Sequence, residues 1–296
     1  MINVLTVDVE EYFHPTEVQS STGPATWALL PSRLQGQVSR VLDILEEREV
    51  KATFFILGWV AERHPKIVQQ IADAGHEIGC HSYAHQLIYN LTPKEFRADT
   101  RRAVSAIEDA CGVSTRAYRA PSYSITGRSM WALEILVECG FTHDSSIYPI
   151  SHDRYGIPNF GRRAQMLQTP SGQICEIPIA TVQLFGGRAI PVGGGGYLRL
   201  LPYSYTAAGI RRMNDQDSIP ACIYFHPWEI DRHQPRLASG VVSRWRTYTG
   251  ISGMETKLKR LVTDFRFSTL AAAYPGVRLS RESVSVSARS SAALAG

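Results

Sequence analysis

Residues 38–58 read VSRVLDILEEREVKATFFILG and contain one helix-to-strand unit. In the first half, four apolar residues recur at three- and four-residue spacing, which places them on one face of a helix: Val38, Val41, Leu42 and Leu45. We predict this helix over 34–48. The second half, 52–57, is a short apolar run that stops at Gly58, which is typical of a strand buried on both faces. The unit therefore predicts a sheet covered by helices.

The same alternation continues along most of the chain. Further strands are predicted at 2–7, 77–80, 116–119, 141–144, 174–179, 220–225 and 266–270, and further helices at 60–74, 92–110, 129–139, 203–214 and 255–263. The helix that follows Thr92 carries the signature of a capping box, with Pro93 in its first position and Glu95 in its third. Repeated strand-then-helix units predict a closed (β/α) barrel or, failing that, an open doubly wound sheet.

Composition excludes several classes of protein. With 296 residues, 44% of them hydrophobic and 20% charged, the chain is neither a disulfide mini-protein nor a disordered or fibrous sequence. The formal net charge is only +4 and no dense basic run occurs, so we expect no nucleic acid partner and no strong attraction to an anionic membrane. No apolar stretch approaches the ~20 residues of a transmembrane helix, and none is expected.

The cysteines and the N-terminus bear on the compartment. The chain has five cysteines and no Cys-x-x-Cys pair, so we predict free thiols in a reducing environment. The first residues lack a basic start followed by an apolar run, which favours a first strand over a signal peptide. The expectation is a cytoplasmic protein, with the inner face of a membrane as an alternative place of work. The sequence carries no indication of oligomeric state.

The first strand ends in a cluster of carboxylates. Side chains alternate along a strand, so Asp8 and Glu10 share a face while Glu11 points away. Two carboxylates on one face raise each other's pKa unless a cation lies between them. A solvated acidic turn explains this stretch equally well when it is taken alone.

The strand at 77–80 is followed by His81-Ser82-Tyr83-Ala84-His85. Histidines four residues apart lie on one side of a helical turn, which is a spacing that metal ligands use. Together with one carboxylate they form a two-histidine, one-carboxylate set. Zinc hydrolases and non-haem iron enzymes both use this set, so the ligands alone do not select the metal.

Two more strand ends carry polar residues. Arg119 follows the strand at 116–119 and is placed to pair with Asp8, although an ordinary surface ion pair is the alternative. His226 follows the strand at 220–225 and is placed to act as a general acid, or else to bond to its own loop. Because the carboxyl ends of parallel strands meet at one end of a barrel, we expect these groups to converge.

These stretches resemble a known family. Thr6-Val7-Asp8-Val9-Glu10, His81-Ser82-x-x-His85, Arg119-Ala120-Pro121 and Phe225-His226-Pro227 resemble the ordered motifs of the polysaccharide deacetylase family, which is carbohydrate esterase family 4 or the NodB homology domain. Residues 226–236 further resemble a subgroup found beside bacterial exopolysaccharide gene clusters. The resemblance implies a distorted (β/α) barrel of about seven strands over 1–272, with a family-specific extension from about 226. Residues 273–296 are expected to form a flexible tail.

The resemblance also implies a function, namely metal-dependent removal of N-acetyl groups from N-acetylhexosamine units of a bacterial polysaccharide or lipid-linked precursor. Zinc is the expected metal, with cobalt, ferrous iron and nickel as alternatives. By motif position, Asp8 is the implied catalytic base, Arg119 the residue that tethers the base, and His226 the general acid. The implied metal ligands are Glu10, His81 and His85. The main-chain N–H of Ser122 is the implied oxyanion donor, and the implied neighbouring substrate contacts are Pro121, Tyr123 and Trp228.

Aromatic residues near the strand ends are candidates for stacking on sugars, and ordinary packing is the alternative for each: Tyr12, Tyr123, Tyr197 and Trp228. The loop 193–196 is expected to form either a wall of the groove or a plain connection.

Several points stay open at this level. Either Glu10 or Glu11 is the carboxylate ligand, and strand alternation favours Glu10. The family's usual aspartate–tryptophan motif is not evident, so Asp144 or Glu176 is predicted to orient His226. Alternative functions are an amidohydrolase of the same fold acting on a small cyclic amide or ureide, a non-catalytic carbohydrate-binding module, and a non-haem iron oxygenase.

Overall fold

The structure is a computed structural model, and it describes residues 1–19, 21–184, 187, 189–275 and 284–285. Its strands are β1 (Asn3–Val9), β2 (Thr53–Ile56), β3 (Glu77–Cys80), β4 (Ala117–Tyr118), β5 (His143–Asp144), β6 (Gln165–Thr169), β7 (Gly172–Glu176), β8 (Thr181–Gln183), β9 (Ala189–Pro191), β10 (Cys222–Phe225), β11 (Phe267–Ser268) and β12 (Val284–Ser285). Its helices are α1 (Pro24–Trp27), α2 (Leu34–Glu46), α3 (Gly58–Arg63), α4 (Pro65–Asp73), α5 (Pro93–Cys111), α6 (Ala132–Glu138), α7 (Gly195–Leu200), α8 (Tyr203–Arg211), α9 (Val241–Tyr248), α10 (Ile251–Asp264) and α11 (Leu270–Ala273).

Within the described part of the chain, seven strands form a continuous parallel sheet in the order β10-β1-β2-β3-β4-β5-β7. The segment after β7 returns to β10, where the N–H of Ala180 donates to the carbonyl of Cys222 at 3.0 Å. The sheet thus curls into a distorted (β/α) barrel, as predicted. Strand β6 is antiparallel to β7, and β12 adds to its outer side.

Strand β1 is an inner strand of this sheet, next to β10. It pairs with β10 on one side, in the register Val4 to Cys222, and with β2 on the other, in the register Thr6 to Thr53. All residues of β1 are buried, as expected for a strand covered on both faces. Its carboxyl end therefore lies between the ends of β10 and β2 at the barrel mouth.

Most helices follow the apolar spacing of the sequence, and one prediction is wrong. Helix α2 buries the predicted face, and the capping box of α5 is formed by Thr92 and Glu95. The single helix predicted at 60–74 is instead two helices, α3 and α4, separated at His64 (φ −130°, ψ 50°). Pro65 causes the break because its ring disfavours the helical conformation of the residue before it.

The region between β5 and β10 contains elements that the sequence did not predict, including β6, the β8–β9 hairpin and the short helix α7. Helix α9 was also not predicted. The flexible tail expected at 273–296 lies mostly outside the described residues, and β12 is the element that the structure describes beyond Pro275.

All five cysteines are free, in agreement with the prediction of unpaired thiols. Four of them are buried and Cys139 is half-buried. Among the helices that the structure describes, none has both the length and the apolar character that a bilayer crossing requires.

At the start of α7, the backbone packs so closely on an aromatic ring that only glycine fits. Gly194 has φ of +117°, and a Cβ atom there would lie 2.2 Å from the Tyr224 ring. Gly195 (φ +46°) is similarly close, with a virtual Cβ at 2.8 Å from the same ring. These glycines allow the backbone to cross directly over Tyr224 on β10.

We predict that Gly194→Ala lowers the free energy of unfolding by about 2 kcal/mol or more, because the new methyl group collides with a buried ring at a left-handed position. Gly253→Ala in α10 is the matched control, since its Cβ would meet no atom within 4 Å. The control should be neutral or stabilise by up to about 1 kcal/mol. Urea unfolding measures both; equal effects of the two substitutions would contradict the packing argument.

Candidate active site

The polar residues at the strand ends meet in one cavity. It has a volume of about 330 Å³ and lies at the carboxyl ends of the barrel strands. Residues from the ends of β1, β3 and β10 line it together: Asp8, Glu10, His81, His85 and His226. Arg119, at the end of β4, lies directly behind Asp8. The structure thus brings together the groups that the sequence placed on separate strands.

Glu10, His81 and His85 form a compact cluster of ligand-type atoms. The Oε1 atom of Glu10 lies 3.1 Å from Nε2 of His81 and 3.0 Å from Nε2 of His85. All three ligand atoms lie within 4.8 Å of one another, and all three residues are buried. Burial alone would raise the pKa of Glu10, but His85 and His226 hold that pKa well below its usual value.

The ring of His81 is oriented by a hydrogen bond on the side that faces away from Glu10. Its Nδ1 lies 2.8 Å from the main-chain oxygen of Arg119, so a proton on Nδ1 is donated to that carbonyl and Nε2 is left as an electron-pair donor facing Glu10. Nδ1 of His85 contacts the side-chain amide of Gln19 at 3.0 Å. Both imidazoles are therefore held from the outside with Nε2 turned inward.

The loop that carries the histidines is not the helical turn that their spacing suggested. Ser82 (φ +63°) and His85 (φ +50°) adopt the left-handed region, which bulky residues rarely occupy. The two imidazole rings nevertheless end 5.5 Å apart between centroids. Backbone strain of this kind costs about 1–3 kcal/mol per residue and is typical of functional loops.

Glu11 has a different neighbourhood. Its carboxylate accepts hydrogen bonds from the Ser32 hydroxyl and, at 3.2 Å, from the Arg33 N–H, so it caps the beginning of α2. It points away from the histidines, as strand alternation favoured. Of the two adjacent glutamates, Glu10 is the one whose side chain joins the histidine cluster.

Asp8 is fixed by a buried arginine. Nη1 of Arg119 donates to Oδ1 of Asp8 at 2.8 Å and to the Thr6 hydroxyl at 2.6 Å, while Nη2 donates to the Ser145 hydroxyl at 2.9 Å. The guanidinium is fully buried and also lies over the ring of Phe55. Burial alone would lower the pKa of Arg119, but the charge of Asp8 raises it above its usual value. The arginine therefore stays charged and holds Asp8 in one orientation.

His226 faces the cluster from β10. Its Nε2 lies 3.9 Å from both Oδ2 of Asp8 and Oε1 of Glu10, and its ring stacks on Trp228 at 5.2 Å between centroids. Burial lowers the pKa of His226, but the carboxylates of Glu10 and Glu229 outweigh that effect and raise it to about 9. The imidazole thus holds a proton over the cavity at neutral pH.

The prediction that Asp144 or Glu176 orients His226 is wrong. Nδ1 of His226 instead contacts Oε2 of Glu229 at 3.1 Å, and the same oxygen accepts the His226 main-chain N–H at 2.9 Å. Although burial raises the pKa of Glu229, His226 and Arg199 together hold it below its usual value. Glu229 is therefore ionised and fixes the ring.

Arg199 supports this carboxylate from the other side. Its Nε donates to Oε1 of Glu229 at 2.5 Å, and its remaining nitrogens donate to the carbonyls of Thr249 and Arg246 at 2.6 and 2.7 Å. A signal for Glu229 was present in the sequence, because His226-Pro227-Trp228-Glu229 places an acid where a capping box has one. No local signal points to Arg199, whose side chain crosses from α7.

Of the remaining residues predicted to contact the substrate, some line the cavity and others do not. Ser122, Tyr123, Tyr197 and Trp228 line the cavity, and Gly196 makes the glycine loop part of its wall. Ser122 and Tyr123 are also left-handed, with φ of +50° and +53°. Tyr12 instead lies in the core with its hydroxyl on the Pro31 carbonyl, and Pro121 begins a short turn behind the wall.

Asp144 and Glu176 form a separate buried pair. Oδ1 of Asp144 accepts the Ser146 hydroxyl at 2.5 Å, and Oε1 of Glu176 accepts the Ile147 N–H at 2.9 Å. Burial first, and then the charge of Asp144, raises the pKa of Glu176 well above its usual value. The raised pKa favours a protonated Glu176, and a proton on either carboxyl group would remove the repulsion between two buried carboxylates.

Parallel-barrel topology, a two-histidine, one-carboxylate cluster and an Asp–Arg pair define the chain as a (β/α) barrel with side chains of the metal-ligand type at the carboxyl ends of its strands. Two family matches divide the chain near residue 143: residues 25–142 match "Polysaccharide deacetylase", and residues 145–275 match "Domain of unknown function (DUF3473)". The chain thus contains a polysaccharide deacetylase match over residues 25–142, which are less than half of its length.

Curated relatives match over part of their length. A peptidoglycan-N-acetylglucosamine deacetylase of Bacillus cereus is 35% identical over 96 residues, which are 32% of this chain and 35% of the relative. A chitooligosaccharide deacetylase of Bradyrhizobium is 28% identical over 96 residues, which are 32% of this chain and 42% of the relative. The aligned stretch therefore spans less than half the length of either relative.

A solved structure supports the fold over nearly the whole chain. A crystal structure of a Mycobacterium smegmatis protein assigned as a polysaccharide deacetylase superposes with a TM-score of 0.53 at 22% identity. The superposition covers 90% of this chain and 92% of the other. At this identity the likeness concerns the fold, and it extends through the part that the family of unknown function matches.

The buried pair Asp144–Glu176 gives a prediction about stability. Because the folded pKa of Glu176 is raised, the native protein retains a proton that the unfolded chain releases above a pH of about 4.3. Stability is therefore fully present below that pH and is lost as the pH rises toward the folded pKa, by up to about 1.4 kcal/mol per pH unit. Glu176→Gln keeps an acceptor for Ile147 and a donor for Asp144 without needing the proton.

We expect the free energy of unfolding of Glu176→Gln, relative to wild type, to increase between pH 5 and pH 8 in urea titrations. Glu46→Gln on the exposed face of α2 is the control and should run parallel to wild type. A gap between Glu176→Gln and wild type that stays constant with pH would show that the pair is not protonated.

Proposed function

We propose that this protein hydrolyses the N-acetyl groups of N-acetylhexosamine units in a bacterial polysaccharide or its lipid-linked precursor, releasing acetate and a free amine. The observation that carries the proposal is the placement of Asp8 and His226 beside the cluster of Glu10, His81 and His85 in one cavity. The match of residues 25–142 to the polysaccharide deacetylase family supports it. The exopolysaccharide subgroup belongs to the same proposal, as does the treatment of 1–272 as one catalytic domain.

The ligand cluster fits a divalent metal ion. One buried carboxylate and two imidazoles with Nε2 turned inward are a set that binds zinc, and cobalt, ferrous iron and nickel accept the same donors. Glu10, His81 and His85 would hold the ion. When bound, it would polarise the acetyl carbonyl and lower the pKa of water toward neutrality.

Asp8 is the base of the proposed reaction. Its Oδ1 is occupied by Arg119, so Oδ2 faces the cavity and is free to take a proton from the attacking water. Arg119 is a positioning residue, because it fixes the carboxylate through a bond that does not change during the reaction. The fully buried arginine also keeps the carboxylate from rotating away.

The negative charge of the tetrahedral intermediate needs a donor from the protein. Ser122 lies in the cavity wall next to the Arg119-Ala120-Pro121 turn, and its main-chain N–H is the proposed donor to the oxyanion. One such donor contributes about 3 kcal/mol to the transition state. The left-handed conformation of Ser122 and Tyr123 sets the direction of this peptide.

His226 is the proposed acid. The amide nitrogen leaves only when it accepts a proton, since an amide anion is too basic to be expelled. Nδ1–H of His226 donates to Glu229, which leaves Nε2–H directed at the cavity and at the departing nitrogen. The products are acetate and an amine, and the proton taken by Asp8 returns to solvent.

The cavity walls suit a sugar ring. Trp228 and Tyr197 offer apolar faces, and the volume of about 330 Å³ is of the size that small-ligand pockets have. The sequence similarities are to enzymes named for peptidoglycan N-acetylglucosamine and for chitooligosaccharides, which are themselves oligomers of N-acetylglucosamine. This unit is the first substrate to test.

The decisive experiment combines metal analysis of purified protein with acetate release from a panel of N-acetylated glycans. Release from N-acetylglucosamine oligomers, without turnover of allantoin, supports the proposal against a ureide amidohydrolase. Glycan binding without acetate release, even with added zinc or cobalt, would indicate a binding module. Oxygen-dependent turnover would indicate the iron oxygenase.

The base and the ligands should be separable by mutation. We predict that Asp8→Asn lowers kcat about 10³-fold with nearly unchanged metal content, because it removes the base outside the ligand cluster. His81→Ala should lose metal and activity together. Metal content by plasma mass spectrometry and acetate release are measured on the same preparations. Substantial activity in Asp8→Asn would refute the assignment of the base.

Glu229 should act through His226. We predict that Glu229→Gln lowers kcat about 10- to 100-fold at unchanged metal content, because the ring loses the charged partner that fixes it. The pKa of His226 should fall, so activity should be lost at a lower pH on the alkaline side. Glu255→Gln, which breaks the surface pair with Arg40, is the matched control and should behave like wild type. An unchanged kcat and pH profile in Glu229→Gln would argue against the positioning role.

A further inference from the structure

Helix α9 carries an exposed apolar patch, which we define as Val241, Val242 and Trp245. Their exposed fractions are 85%, 63% and 55%. Residues three and four apart lie on one side of a helix, so both valines adjoin the tryptophan on the same face. Concentration of large apolar side chains on one short helix is uncommon on the surface of a soluble domain and indicates an interaction site.

The segment around the patch is strongly basic. Residues 232–254 contain four arginines and no aspartate or glutamate. The whole chain has a formal net charge of +4, so this one segment carries as much excess positive charge as the entire protein. Arg244 is exposed on α9, and the guanidinium of Arg236 lies 5.4 Å from the Tyr248 ring, which keeps it beside the helix.

The patch is continuous with the mouth of the cavity. Trp245 belongs to the patch and also lines the cavity, together with the next residues Arg246 and Thr247. Arg246 is tied to the site itself, because its carbonyl accepts a hydrogen bond from Arg199, the partner of Glu229. Whatever covers α9 therefore lies at the entrance through which substrate passes.

We infer that α9 docks on a membrane surface that contains anionic phospholipids, with the cavity mouth facing the bilayer. Aliphatic side chains and a tryptophan suit the boundary between headgroups and acyl chains, and arginines suit the phosphates beside them. An arginine close to an anionic surface contributes about fivefold in affinity. A catalytic role for this docking rests on the proposed function. In that case, a membrane-facing cavity favours a lipid-linked saccharide as the substrate.

Charge complementarity selects this occupant over a second copy of the chain. A symmetric contact through α9 would place two acid-free basic segments against each other, which is repulsive. A bilayer surface offers phosphates for the arginines and an apolar layer for the valines at the same time. The arginines are spaced along the segment rather than adjacent, which is why the charge pattern of the sequence did not indicate a membrane.

The test is sedimentation of the full chain with vesicles of phosphatidylcholine alone or of phosphatidylcholine with phosphatidylglycerol. Wild type should bind the anionic vesicles, and binding should fall as salt is raised. The double variant Val241→Asp, Val242→Asp should bind at least tenfold more weakly. Val113→Asp, at an exposed valine outside this segment, is the matched control and should bind like wild type.

A second measurement locates the contact. Lipids with brominated acyl chains quench nearby tryptophans. Trp245 is exposed, whereas Trp27, Trp59 and Trp228 are buried and Trp131 is half-buried at the start of α6, outside the patch. Quenching should occur in wild type and be largely absent in Trp245→Phe. Equal vesicle binding by the double variant and wild type, no binding of wild type at low salt, or a dimer that the double variant dissolves would overturn the inference.

The docking of α9 and the proposed function can be contradicted independently of each other. Acetate release from a water-soluble N-acetylglucosamine oligomer needs no vesicle, and the double variant should retain it because neither valine lines the cavity. Loss of vesicle binding with retained release supports docking by α9. Vesicle binding without any acetate release by wild type would overturn the proposed function and leave the docking surface in place.

Discussion

The buried contact between Arg119 and Asp8 is the interaction on which the site depends. Arg119 fills the barrel interior at the end of β4, reaches Asp8 on β1 and Ser145 after β5, and presents its own carbonyl to His81. One residue thereby fixes the proposed base and one proposed metal ligand. A buried charge without its partner costs several kcal/mol, so this arrangement leaves little freedom for either side.

The second half of the chain completes the cavity that the first half begins. Asp8, Glu10, His81 and His85 come from strands or loops within the first 85 residues, whereas His226, Glu229 and Arg199 come from the region that the family of unknown function matches. The Arg199–Glu229 pair connects the proposed acid to α7 and, through main-chain carbonyls, to the end of α9. The part of unknown function is structurally inseparable from the site.

Much of the fold and of the candidate site could be predicted from the sequence, because apolar periodicity and strand-end polar residues are local signals. The barrel strands β1, β2, β3 and β10, the capping box at Thr92 and the group around Glu10 follow from such signals. Arg199 could not be predicted, since only the folded chain brings it to Glu229. Because the family's aspartate–tryptophan motif is not evident, the sequence leaves Asp144 and Glu176 as candidates for the orienting acid, while the actual contact is three residues from His226.

The pairing of β1 with β10 joins residues far apart in the chain, as in the bond from the Thr6 hydroxyl to the carbonyl of Ile223. Closing so large a loop requires a great loss of chain entropy before any contact compensates it, which makes this pairing a late event in folding. On a ribosome, the strand that carries His226 emerges long after β1 to β3. The histidine–carboxylate cluster can thus assemble in a nascent chain that still lacks the proposed proton donor, and the full set of proposed catalytic groups is present only after the closing strand has paired.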